Sequence, residues 1–230
     1  MKKVLYLILI ILLIFISISS FYLYKGYKMY KKEISEISIS EKVANIKSSE
    51  NYTEISLLPK TYINAVISAE DHRFYKHNGI DIISIFRALY HDIKNGNLNE
   101  GGSTIPQQLA KNIYFTQEKK FERKIAEIFM AFKLESELKK DEILELYLNT
   151  SYFGQGYYNV YDASVGYFNK EPAYMTDYES TLLAGIPNAP SIYSENMNLA
   201  HERQRQILDL MIEYEYLSNE EKEKILEEIN

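Results

Sequence analysis

The chain contains no cysteine, which excludes disulfides, thiolate-ligated zinc, thiol redox chemistry and cysteine nucleophiles, although not secretion. Glycine and proline are scarce, nine and five in 230 residues, while 46% of residues are apolar and 25% charged. That balance excludes collagen-like, low-complexity and disordered chains and implies one folded domain with a sizeable core. Positive charge is also sparse in the body. The first 32 residues hold six of the 26 basic residues and none of the 32 acidic ones, leaving 20 basic against 32 acidic beyond them. A body of that sign does not grip nucleic acid, which requires a clustered basic face.

An uncharged run of 20 residues, Val4 to Leu23, comes first. As a helix it spans about 30 Å, the hydrocarbon thickness of a bilayer. A cleaved signal peptide has a shorter apolar region and a small-x-small site, which only Ser17-Ile18-Ser19 faintly fits. Residues 1–32 are therefore read as an uncleaved transmembrane anchor. Lysines flank the run on both sides, so the positive-inside rule does not orient it.

Residues 33–57 read as a polar stalk or linker with room for a small strand. After Pro59 the apolar spacing predicts helices near 60–70, 82–94, 105–114, 118–137, 140–150, 160–168, 177–185, 199–214 and 219–229. Thr176 with Glu179, and Ser218 with Glu221, have capping-box spacing. No run of alternating strands appears there, so the body over 58–230 is expected to be mainly α.

Three clusters can carry chemistry. Glu70-Asp71 ends the 60–70 helix ahead of a turn containing His77, Gly79 and Asp81. Adjacent carboxylates at an element end make a general base when repulsion and partial burial favour the protonatable form. A solvated acidic turn is the ordinary alternative. A metal site from Asp71, His72 and His77 lacks the usual ligand spacing. Gly101-Gly102-Ser103-Thr104 precedes a helix whose amide ends can hold an anion. Thr104 and Gln107 are also a capping box, which leaves Gln108, Lys111 and Asn112 unexplained. On the 118–137 helix, Phe121, Ile125, Ile128, Phe129 and Phe132 form an apolar stripe expected to face the core. Lys119, Arg123 and Glu127 point away from it, as a surface salt bridge or as part of an anion site.

In order, Glu70-Asp71-x-x-Phe74-x-x-His77-x-Gly79-x-Asp81, Gly101-Gly102-Ser103-Thr104-Ile105-x-Gln107-Gln108-x-x-Lys111-Asn112, Arg123-Lys124-x-x-Glu127 and Glu142-Ile143-Leu144-Glu145-x-Tyr147-Leu148-Asn149 resemble the signatures of the peptidoglycan glycosyltransferases, glycosyltransferase family 51. Four in order behind an anchor are highly specific. The resemblance runs from about Pro59 to Met211.

The resemblance implies a lysozyme-like helical fold with a smaller membrane-facing jaw. It also implies polymerisation of lipid II with inversion, the growing lipid-linked glycan chain being the donor and undecaprenyl pyrophosphate the leaving group. Glu70 would be the general base and Glu127 would support the pyrophosphate through a divalent metal, Mg²⁺ or Mn²⁺. Lys111, Arg123 and Lys124, with Lys119 and Arg87, would stabilise the leaving charge. Asp71, Phe74, His77, Ser103, Thr104, Gln107, Gln108 and Asn112 would shape the cleft and bind sugar or phosphate. Expected partners are the membrane and other wall-synthesis proteins such as a transpeptidase, with the catalytic domain outside the cytoplasm and Met1 inside. Two departures stand out. Pro106 replaces a usual Thr or Ser, and Asn159 replaces a usual Gly, where it is expected to take the positive φ of the same turn. A lysozyme-like lytic enzyme and a non-catalytic wall-binding tether are the competing readings.

Overall fold

The computed structural model describes residues 2–95, 102–115 and 120–228, all connected by helices and short turns without a strand among them. Helix α1 (Lys2–Glu36) carries the apolar run, and α2 (Ile39–Lys47) follows after a break at Ser38, whose side chain caps it. The body continues with α3 (Lys60–Glu70), α4 (Ile82–Asn95), α5 (Ile105–Tyr114), α6 (Phe121–Glu137), α7 (Lys140–Leu148) and α8 (Val160–Phe168). It closes with α9 (Asp177–Gly185), a single turn α10 (Pro190–Tyr193), α11 (Met197–Glu213) and α12 (Asn219–Glu227).

All three expected capping boxes form, at Thr104/Gln107, Thr176/Glu179 and Ser218/Glu221, and Pro106 sits in the first turn of α5 where its missing amide costs nothing. These local signals explain why α5, α9 and α12 begin where the sequence predicts.

The 33–57 stretch is corrected. Instead of a strand-bearing stalk it holds the end of α1, α2 and one 3-10 turn, and Ile39 and Val43 of α2 are buried in the core. Its downstream end is stapled by the fourth signature. Asn149 accepts from Thr53 N–H and donates to Thr53 O, both at 2.8 Å, and Glu145 accepts from Ile55 N–H at 2.8 Å. Asn159 is also corrected: its φ is −154°, and it caps α8 by accepting from Asp162 N–H instead of entering the left-handed region.

The core is built around α3, α9 and α11 on one side and α5, α6 and α7 on the other, with Tyr62, Leu109, Met130, Leu134, Ile143 and Leu146 fully enclosed. Two apolar surfaces escape it. Residues 4–16 of α1 are wholly exposed, and α4 exposes Ile82, Ile83 and Phe86, the last 66% accessible. Among the described residues α1 is the one helix long and apolar enough to cross a membrane.

Candidate active site

Glu70 is the last residue of α3, so the helix end presents its carboxylate toward α5. Gln108, in the second turn of α5, donates through Nε2 to Glu70 Oε2 at 2.6 Å. The Tyr147 hydroxyl on α7 donates to Gln108 Oε1 at 3.3 Å, which fixes the amide's orientation. Glu70 Oε1 is closed off from solvent with no hydrogen-bond partner. Burial pushes the Glu70 pKa up, against the lowering effects of the Gln108 hydrogen bond and of Arg203 and Lys111; Asp71 adds to the rise. A carboxylate with a raised pKa and one free oxygen is chemically a general base.

Lys111 lies one helical turn beyond Gln108. Desolvation lowers its pKa, Glu127 and Glu70 oppose that, and Arg123 and Lys124 reinforce it. Lys111 therefore stands in the fields of both carboxylates, and α5 is the element that joins them. On α6, Glu127 Oε1 is 2.9 Å from Arg123 Nε and its Oε2 is 3.1 Å from Lys124 Nζ. Lys124 also donates to Ser103 Oγ at 2.7 Å, tying the loop before α5 to α6. Glu127 is only 2% exposed, so the surface salt bridge is corrected to a buried carboxylate held between two cations, with the charge of Lys111 also felt there. Buried charge persists only when compensated, and this surplus of cations favours an added anion.

The apolar stripe of α6 is corrected as well. Its buried core face is Ala126, Met130, Ala131 and Leu134, whereas Phe121, Ile125 and Phe129 meet α1: Phe121 packs on Tyr22, and Phe129 on Tyr27 and Tyr30.

Several residues expected in the cleft lie in the scaffold beneath it. Asp71 is buried, taking His77 Nε2 at 2.9 Å and Ile105 N–H at 3.0 Å on Oδ2. Phe74 is fully buried under the Lys140 ammonium. Thr104 donates to Gly79 O, and Thr104 N–H is taken by Gln107 Oε1 at 2.9 Å. Gly79 itself has φ +77° with Phe132 against it, a conformation other residues rarely adopt. Arg87 lies against His72, 3.2 Å away, instead of with the Glu127 group. Asn112 is half-buried on α5 beside Lys111. Lys119 and Gly101 fall outside the described residues.

Sequence reasoning missed Arg203 of α11, which reaches the field of Glu70 from far along the chain. Nothing in the local pattern of 199–214 marks it. Among the described residues no three acidic or imidazole groups converge on one point.

The transglycosylase family model matches residues 35–212. The chain is 46% identical over 177 residues to penicillin-binding protein 1F of Bacillus subtilis (strain 168), covering 75% of this chain and 25% of that protein. It is 43% identical over 179 residues to penicillin-binding protein 1A of Neisseria lactamica and 42% identical over the same length to that of Neisseria gonorrhoeae, covering 77% of this chain and 22% of each. The match thus spans about a quarter or less of those relatives' length. A helical body with an N-terminal apolar helix, four signatures folded around α5, and the family match over most of its length together show that the chain belongs to the transglycosylase family.

Proposed function

We propose that this chain is a peptidoglycan glycosyltransferase of bacterial cell wall synthesis, extending glycan strands from lipid II. The observation that carries the reading is that α5 and the loop before it join two carboxylates: Gln108 bonds Glu70, and Ser103 takes the Lys124 ammonium that also pairs with Glu127. The Glu70 carboxylate takes the proton from the 4-hydroxyl of the acceptor GlcNAc as that oxygen attacks C1 of the donor MurNAc. The C1–O bond to the pyrophosphate breaks, its electrons leave with the undecaprenyl pyrophosphate, and an α linkage becomes β-1,4. Gln108 holds the base oriented, and Lys111, Arg123 and Lys124 receive the developing negative charge. Glu127 keeps those cations in place and would hold a Mg²⁺ or Mn²⁺ ion arriving with the pyrophosphate; such an ion supplies further charge neutralisation.

A pyrophosphate leaves without being protonated, so the division into a base on one side and cations on the other suits transfer. A lytic glycosidase would need an acid at its leaving group and would give the cations no task. The exposed apolar face of α4 and the anchor are suited to a bilayer that also holds the substrate. The reading places the catalytic domain outside the cytoplasm, where it would work beside a transpeptidase, and makes moenomycin, a mimic of the growing chain, an inhibitor.

Purified protein with lipid II and Mg²⁺ should form glycan strands resolvable by gel electrophoresis, and Glu70→Gln should abolish them with helicity unchanged. Intact sacculi should release no muropeptides. An unimpaired Glu70→Gln enzyme would sink the mechanism, and release of muropeptides would favour the lytic reading.

A further inference from the structure

The most extensive helix–helix seam among the described residues joins α1 to α6, the helix that carries Arg123, Lys124 and Glu127. Both helices contribute residues four apart, Tyr22, Gly26 and Tyr30 from one and Phe121, Ile125 and Phe129 from the other. Pairs from these rows meet in order along the seam. Rows of that spacing are the ridges that interlock when helices pack closely. At the centre, a Cβ on Gly26 would lie 2.5 Å from Ile125 Cγ2 and 2.9 Å from Glu122 O. Backbone is among the atoms it would meet, so the approach demands glycine. Lys25 Nζ closes the side of the seam on Glu122 Oε1 at 3.2 Å.

The register has a consequence for depth. The apolar run ends at Leu23, and Gly26 lies roughly 5 Å further along the axis. Because the paired rows advance together, Arg123 and Lys124 sit level with about Tyr24 and Lys25, and Glu127 about 3 Å beyond Ile125. That level is the edge of the hydrocarbon.

We propose that the α1–α6 seam, closed on Gly26, is a positioning device that holds the Glu127 cation cluster at the depth where a membrane-anchored prenyl lipid presents its pyrophosphate. The proposal rests on the polymerase reading above. Gly26 is a positioning residue: it touches no substrate and acts through α6. The apolar stripe on α6 is then the docking face of the anchor.

The test uses the full chain in phospholipid vesicles. Gly26→Ala and Gly26→Leu are assayed on lipid II with its natural long prenyl chain in the bilayer, and on a short-chain, water-soluble analogue for which depth is irrelevant. A misplacement of about 1 Å can cost on the order of a hundredfold, so Gly26→Leu should slow the membrane reaction at least about tenfold, with Gly26→Ala intermediate and the soluble reaction within about twofold of wild type. The seam is read independently: in this cysteine-free chain, Lys25→Cys with Glu122→Cys should be joined by a short bis-methanethiosulfonate, which forms a disulfide with each thiol and releases methanesulfinate, and adding Gly26→Leu should prevent it. Equal loss on both substrates, no loss on either, or no cross-link in the otherwise unaltered chain would overturn the proposal. Inactivity of the wild type on both substrates would remove the polymerase reading and this role with it, while the cross-link would still report the seam.

Discussion

Gln108 Nε2 stands 2.6 Å from Glu70 Oε2, and this bond favours the ionised carboxylate that burial disfavours. Because the pKa of Glu70 is raised overall, activity should rise with pH as the base loses its proton, along a limb lying above the ordinary carboxylate range. Gln108→Leu removes a lowering influence, so the limb should move to higher pH. A pH profile of kcat/KM for the two proteins checks this.

The same group makes a stability prediction of opposite sense. Between the ordinary glutamate value and its raised folded value, the folded chain keeps a proton that the unfolded chain has lost, so stability falls as pH rises through that window. Glu70→Gln removes the cost of a buried charge. It should melt above wild type at pH 7 and closer to it near pH 4, in thermal scans of detergent-solubilised protein.

Lys111 influences both carboxylates, and its loss should be felt at both. Lys111→Met should lower kcat on the order of a hundredfold by withdrawing charge from the leaving group. It should also shift the Glu70 limb to higher pH, since Lys111 helps to hold that value down. A fall in rate with no shift of the limb would separate Lys111 from Glu70.

Asp71 is expected to matter for folding. Asp71→Ala strands the Ile105 amide and the His77 ring in a buried place, which costs about 3 kcal/mol. Denaturant titration should show this loss, and the Asp71→Ala protein should lose secondary structure at lower temperature.

Metal dependence should run through Glu127. Chelation should slow wild-type polymerisation and Mg²⁺ restore it, whereas Glu127→Gln should retain only a small residual rate that no longer responds to the ion. Undiminished response in Glu127→Gln would remove this residue from the ion's coordination.

Legibility divided by range. Capping boxes, the Pro59 boundary and the apolar spacing placed α3, α5 and α9 within the residues the structure gives them, because those signals act within four residues. The break before α2 and the identity of the core face of α6 were not legible. Helical periodicity shows that a face is apolar without saying what covers it. Phe121, Ile125 and Phe129 look the same whether they meet a core or an anchor.

By itself, the sequence determined a cysteine-free helical body behind a membrane-length apolar run, with carboxylates at 70 and 127 and cations at 111, 123 and 124 in four ordered signatures. Only the tertiary structure decided which of those polar residues face one another. Asp71, Thr104 and Gln107 turn inward to hold loops, while Lys111 stands in the fields of both carboxylates and Arg203 in that of Glu70, from a distant helix. The physical reason is that burial and electrostatic fields depend on distances through space, which packing sets across many turns of chain, whereas capping and periodicity depend on neighbours along it.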